Sequence, residues 1–268
     1  MKRIVFKITL LFATVSLMSC EKGLMTYDNK NSDIYFFDAG KSVTPNFDQS
    51  YVSFQYVTKP DTTVNVIVAT SGLAADHDRE YKLMISHLSP EELLYDHDNN
   101  ATTLPIPMLE AVEGTHFEKL PEKFVIKKGV YRDTIKVKLF RSSDILTNRL
   151  ALAFELQANE NFGNNFKSRI VGSKPISTIR TKILFDDKDT KPKYWLENAF
   201  GTYSREKLFF ICDLFAFSAR YFETPQDIGE LNGYGKFAQR RLNELAAAGT
   251  PVYEKNGTTR MVMGAFAQ

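Results

Sequence analysis

The sequence has little of what covalent scaffolds and most reactive sites are built from: two cysteines, four histidines and one tryptophan in 268 residues. Cys20 ends an N-terminal apolar run, so Cys212 is left as the one internal thiol. That excludes an intramolecular disulfide and a cysteine-rich metal site, and stability has to come from packing. Cys212 lies among Phe209, Phe210, Ile211 and Leu214, a setting for a small buried apolar group. Enzyme signatures are missing too. There is no Gly-x-Ser-x-Gly elbow, no His-Glu-x-x-His, no phosphate-cradling glycine loop and no glycine-rich dinucleotide fingerprint. A carboxylate pair for glycoside hydrolysis is the catalysis these absences leave open, because Asp and Glu are abundant. The expectation is a non-catalytic protein without a cofactor. Charge of one sign is also lacking. The net charge is +2, and Lys2, Arg3 and Lys7 all precede Cys20, so no basic footprint for nucleic acid remains.

Long hydrophobic runs are absent, and the one short run carries an address. Lys2, Arg3 and Lys7 flank an apolar stretch over residues 8–17, and Leu17-Met18-Ser19-Cys20 closes it. The stretch is too short to span a hydrocarbon core of about 30 Å as a helix. A basic start, a short apolar core and small residues before a cysteine form a lipoprotein signal peptide, residues 1–19, cut before Cys20. The thiol of Cys20 then takes a diacylglyceryl group and the new amino group is acylated, typically with palmitate. At about 0.8 kcal/mol per buried methylene, more than one chain gives stable anchoring. Residues 20–32 are polar and read as a lipidated tether, with a reach on the order of 20 Å.

Beyond the tether, apolar residues alternate at strand spacing. Segments 33–37, 51–57, 62–70, 81–86, 123–126, 134–139, 150–156 and 178–185 are rich in aromatic and β-branched residues. Turn signals separate them at Gly72 and Lys127-Lys128-Gly129, and a polar excursion runs from Ser89 to Pro107. Short strands without intervening helices predict an antiparallel β-sandwich over residues 33–186. The acidic segment from Asp186 to Pro192 reads as a solvated domain boundary. After it, residues 191–268 predict a small α+β domain. Ser204 caps a helix carrying Lys207, Phe210, Ile211, Leu214 and Phe215 on one side, and a second helix covers 235–248, ended by Gly249 and Pro251. Gly233-Tyr234-Gly235 reads as a turn, and Asn256-Gly257 as the type I′ turn of a closing hairpin.

The candidate metal ligands are two acid-histidine-acid triplets, Asp76-His77-Asp78 and Asp96-His97-Asp98, because imidazole with carboxylate suits zinc and related metals. In extended chain, adjacent residues point to opposite faces, so each triplet offers one histidine or two carboxylates to a given ion. Hydrophilic loop chemistry is the favoured account of both triplets. Asp186, Asp187 and Asp189 are oxygen donors suited to calcium, without the Gly-centred loop and terminal Glu of an EF-hand. Trp195 is the candidate for stacking on a sugar or peptide, set against the ordinary role of an aromatic in a core.

Several motifs resemble one known family. They are the lipobox, Ile34-Tyr35-Phe36, Asp78-Arg79 before Tyr81-Lys82-Leu83, Glu113-Gly114-Thr115-His116-Phe117 after Ala111, the stretches 124–129, 134–139 and 152–162, Pro192-Lys193-Tyr194-Trp195, and Gly201-Thr202-Tyr203-Ser204 with Lys207 and Phe209. The chain resembles Bacteroidota lipoproteins of unknown function with a Calx-beta-like or immunoglobulin-like sandwich and a small C-terminal part. The resemblance implies a mainly β fold and an accessory role beside SusC- and SusD-like outer-membrane uptake proteins. It also puts Arg79 and His116 on motif positions, with structural roles as the default. Calx-beta domains elsewhere bind calcium through clustered acids at one end of the sandwich; none of those acids is carried over here. The tripeptides at Thr62 (Asp61-Thr62-Thr63) and Thr134 (Asp133-Thr134-Ile135) match the pattern such bacteria O-glycosylate.

The expectation is thus a lipid-anchored outer-membrane protein on the periplasmic or cell-surface side, acting as an accessory or ligand-binding component of SusC/SusD-like uptake. Direct polysaccharide or peptide binding is the alternative, and a hydrolase the third reading.

Overall fold

The computed structural model describes residues 32–40, 49–94, 107–171 and 174–268. The signal peptide, Cys20, all of the tether before Ser32 and the Asp96-His97-Asp98 triplet lie outside the described residues. Among the described residues, no helix is long and apolar enough to cross a membrane.

Period-two alternation builds the two sheets. In the first, β7 (Arg132–Phe140), β3 (Asp61–Thr70), β1 (Ser32–Phe36) and β9 (Phe162–Gly163) lie side by side in that order. Alternate residues Ile34 and Phe36, Val66 and Val68, and Ile135, Val137 and Leu139 point inward and are buried. The second sheet runs β2 (Gln49–Ser53), β12 (Arg180–Asp186), β8 (Leu150–Gln157), β4 (Arg79–Ser86), β6 (Phe124–Ile126), with β5 (Leu109–Glu110) on the end of β8. Leu150, Leu152, Phe154 and Leu156 of β8 face the first sheet in one cluster with Ile183 and Phe185. The intervening Ala151 is buried as well, in a smaller cluster with Met108 and Leu184 on the outer side. A strand covered on both faces has to read as a near-continuous apolar run, as β8 does. A separate hairpin pairs β10 (Ser168–Val171) with β11 (Lys174–Ser177).

The mainly β sandwich with a small helical C-terminal part is therefore the architecture, with several differences from the sequence reading. Parallel pairs β1/β9, β2/β12 and β5/β8 join the antiparallel ones, since alternation sets which face a residue takes and not strand direction. The expected strand over 51–57 ends at Ser53 and becomes a 3-10 turn, Phe54–Tyr56. A straight strand would put Phe54 and Tyr56 on one face; the turn sends Phe54 into the sandwich core and leaves Tyr56 packed against the helical part. The polar excursion also starts with one helical turn, α1 (Pro90–Leu93), closed by a capping box between Ser89 and Glu92.

After the sandwich come α2 (Glu197–Phe200), α3 (Arg205–Phe215) and α4 (Ile228–Ala247). The Ser204 side chain accepts from the Lys207 amide and caps α3 as expected. Helix α4 begins seven residues earlier than the apolar pattern indicates, at an Asp227 cap that accepts from the Glu230 amide, so Gly233 and Gly235 are helical and form no turn. Gly235 is there for contact: a Cβ would stand 2.5 Å from the Ala199 carbonyl oxygen. The C-terminal hairpin reduces to one bridge, Tyr253 to Arg260. A type I′ turn needs two successive left-handed residues, and only Gly257 takes a positive φ, while Asn256 turns its side-chain oxygen onto the Thr258 and Thr259 amides. Trp195, Phe200, Leu208, Ile211, Phe222, Leu231 and Leu242 form the core of this part.

Candidate functional site

Three strands of the first sheet place a row of residues on its outward face. Tyr35 of β1 stands opposite Ala69 of β3, and Ala69 stands opposite Arg132 of β7. Strands lie about 4.8 Å apart, so the outer members are separated by roughly 10 Å, the span of a short run of linked sugar rings rather than of one. The residue between them has only a methyl group, which makes the row a depression instead of a ridge. The turn from Gly129 to Tyr131 forms the far wall, held by the Gly129 amide on the Ala75 carbonyl at 2.9 Å and the Thr70 amide on the Tyr131 carbonyl at 3.0 Å. The result is an open cleft of about 500 Å³ lined by Tyr35, Ala69, Thr70, Val130, Tyr131 and Arg132.

Its side chains are set in defined positions. The Phe166 ring meets Tyr35 edge-on, with centroids 6.3 Å apart. The Arg132 guanidinium lies 3.6 Å from the centroid of the Phe37 ring. Tyr131 is 49% exposed and Val130 42%, so the cleft offers ring faces and one cation to solvent. No carboxylate, imidazole or thiol is among the described residues that line it. This arrangement can hold a ring-shaped polar ligand by stacking and hydrogen bonding.

The residues singled out by sequence lie elsewhere. Trp195 is buried at 5% exposure, donates Nε1–H to the Gly201 carbonyl at 2.9 Å, and packs on Phe200, Tyr203 and Phe222. It is a core residue and offers no face to a ligand. His77 is exposed and meets its neighbour Asp76 at 2.7 Å, while Asp78 accepts from Lys127 Nζ and the Lys128 amide, both at 2.8 Å. Those bonds hold the Asp78 carboxyl below its ordinary range. Among the described residues no group of three His, Cys, Asp or Glu side chains is placed to hold a metal ion.

Asp186 and Asp187 are corrected from a solvated turn to buried ion pairs. Asp186, the last residue of β12, accepts from Tyr51 Oη at 2.7 Å and from Arg149 Nε at 2.8 Å. Burial, then the Asp186 carboxylate, pushes the Tyr51 hydroxyl up to about 12. Asp187 pairs with Arg141 at 3.2 Å and with Arg205 of α3 at 2.8 Å, and Asp189 reaches Arg205 at 3.7 Å. Of the carboxylates that looked like calcium donors, Asp187 and Asp189 join the sandwich to α3 through Arg205, while Asp186 pairs within the sandwich.

Arg79 and His116 have the structural roles assigned by default. Arg79 donates to Ser32 Oγ at 3.0 Å and lies over the Phe162 ring. His116 Nδ1 accepts from the Val112 amide at 2.8 Å, which places the ring proton on Nε2, facing Asp144 at 3.0 Å. Thr134 is exposed on the outward face of β7, whereas Thr62 is half-buried in the β3 ladder. The sequence reading passed over the cleft because Tyr35, Ala69 and Arg132 are far apart in the chain. The one local sign was Tyr131-Arg132 directly after a glycine turn.

Fold and cleft define a mainly β sandwich protein with a helical C-terminal part and an open aromatic depression on one sheet. Within that class the chain belongs to the family described as Domain of unknown function (DUF4843), whose model matches residues 27–216, well over half of the sequence. No curated protein matches the chain. Among solved structures it is similar to a Bacteroides ovatus protein provisionally described as carbohydrate binding, at 12% identity and a TM-score of 0.37, over 58% of this chain and 37% of that one. A second Bacteroides ovatus protein, of unknown function, shares 15% identity at a TM-score of 0.39, over 57% of this chain and 43% of the other. The apo Calx CBD1 domain shares 12% identity at a TM-score of 0.34, over 60% of this chain and all of that domain. The chain thus spans less than half the length of the two Bacteroides ovatus proteins.

Proposed function

We propose that the protein is a non-catalytic lipoprotein, held at the outer membrane through acylated Cys20, that binds a nutrient glycan as an accessory component of a SusC/SusD-like uptake assembly. The observation that carries this reading is the cleft: two tyrosine rings and a guanidinium around an alanine floor, on three hydrogen-bonded strands. A ligand site on paired strands is preorganised, so little ordering entropy opposes binding. Exposed rings match the apolar faces of pyranose sugars, which makes direct glycan contact the favoured form of the accessory role. The lipobox supports the location, since two or more acyl chains hold a protein at a membrane.

A glycan screen by affinity electrophoresis and calorimetry tests the binding reading. The double variant Tyr35→Ala/Tyr131→Ala is expected to weaken the best ligand by about tenfold, or about 1.4 kcal/mol. Unchanged affinity in that variant would remove the cleft as the site. Purification from membranes in mild detergent tests the assembly, with SusC- and SusD-like proteins expected to co-purify. Cys20→Ala is expected to move the protein into the soluble fraction, and persistence in the membrane fraction would overturn the anchor.

A further inference from the structure

We propose that the cleft selects an acidic sugar unit, a hexuronate or a sulfated sugar, with Arg132 as the residue that reads the charge. This rests on the glycan-binding reading and specifies its ligand class. Among the described residues, Arg132 is the one charged side chain lining the cleft, with no carboxylate beside it there to oppose an anion. Its guanidinium is not engaged by a carboxylate among the described residues; its contact is the Phe37 ring, 3.6 Å from the centroid. Stacking uses the flat face of a guanidinium and leaves its edge N–H donors available, the geometry that grips a carboxylate or sulfate through two parallel hydrogen bonds. The ring contact also fixes a long side chain that would otherwise lose rotamer freedom on binding. Across the row, about 10 Å away, Tyr35 supplies the stacking surface. A short oligosaccharide over the Ala69 floor would therefore stack one ring on Tyr35 and bring the anionic substituent of a neighbouring unit to Arg132.

The test is calorimetry with matched probes: galacturonate oligosaccharides, the same oligosaccharides methyl-esterified, sulfated oligosaccharides, and neutral gluco-oligosaccharides. The acidic forms are expected to bind about five- to tenfold more tightly than the esters at low salt, with the margin shrinking as salt rises. Arg132→Gln is expected to erase the margin between acids and esters, and Arg132→Lys to restore part of it. A preference for the carboxylated or the sulfated probes identifies which anion the site takes. Equal binding of acids and esters, with Tyr35→Ala/Tyr131→Ala still weakening both, overturns the charge inference and leaves the glycan reading standing. Binding that ignores the double variant overturns the glycan reading and this inference with it.

Discussion

Single residues set how the thiol and the carboxyl groups of the protein behave. Cys212 is 4% exposed, its Sγ faces the Ser218 carbonyl, and burial with nearby Asp213 pushes the thiol up to about 11. In protein lacking residues 1–20, Cys212 is expected to resist iodoacetamide at pH 7.5 until denaturant is added; modification of the native state, seen by mass, would contradict its burial. Asp144 shows the opposite shift. The Ser142 hydroxyl most of all lowers its carboxyl below the usual 3.8; burial opposes this, and His116 adds to the lowering. A depressed folded value stabilises the fold above pH 3.8, and the contribution is lost as pH falls through the lower folded value. The stability gap between wild type and Asp144→Asn, from urea titrations, is expected to be constant near neutrality and to close in acid. A gap that persists at low pH would mean that the charge is not what Asp144 contributes.

Elements divide into those whose residues state their structure and those that contacts decide. The strand β8 carries its assignment in its own pattern, and its fully buried Phe154 is expected to cost about 3–5 kcal/mol on change to alanine, read from urea unfolding. Helix α4 shows the contrary case. Two glycines in one helix have equal propensity cost, yet a Cβ at Gly233 meets nothing within 4 Å while one at Gly235 meets the Ala199 backbone. Gly233→Ala is expected to raise stability by roughly 0.5–1 kcal/mol through helix propensity. Gly235→Ala is expected to lower it, because backbone cannot yield as a side-chain end does. Equal shifts in the two thermal midpoints would refute the close approach of α4 to α2. The pattern 235–248 was legible because apolar spacing survives there; the first two turns of α4 were not, since their glycines look like turn residues without Ala199 in view.

At the scale of the molecule, sandwich and helices share one polar seam. Asp187 pairs with Arg141 from beside β7 and Arg205 from α3, Thr190 donates its amide to Gln55 at 2.8 Å, and Tyr56 donates its hydroxyl to Glu223. Removing Asp187 leaves two cations facing each other with little solvent. Asp187→Ala is expected to cost about 3 kcal/mol, the low end for a broken buried pair because both arginines keep some exposure. Trp195, the one tryptophan, sits in the helical core and reports that part by its fluorescence, while the β-sheet amide I infrared band reports the sheets. The two signals are expected to melt together in the wild type and apart in Asp187→Ala. Coincident melting in the variant would show that the seam is not the coupling.

The sequence by itself determined the run of strands followed by helices, the α3 cap and the burial of Cys212. Each of these follows from properties of neighbours in the chain: hydrophobic period, cap chemistry, apolar surroundings. Tertiary structure alone decided that Trp195 is core, that Asp186 and Asp187 are buried pairs, and that Tyr35, Ala69 and Arg132 form one row. Those outcomes depend on strand order and register, which bring residues tens of positions apart within one strand spacing. The alternation of apolar and polar residues specifies a face and leaves the partner strand open.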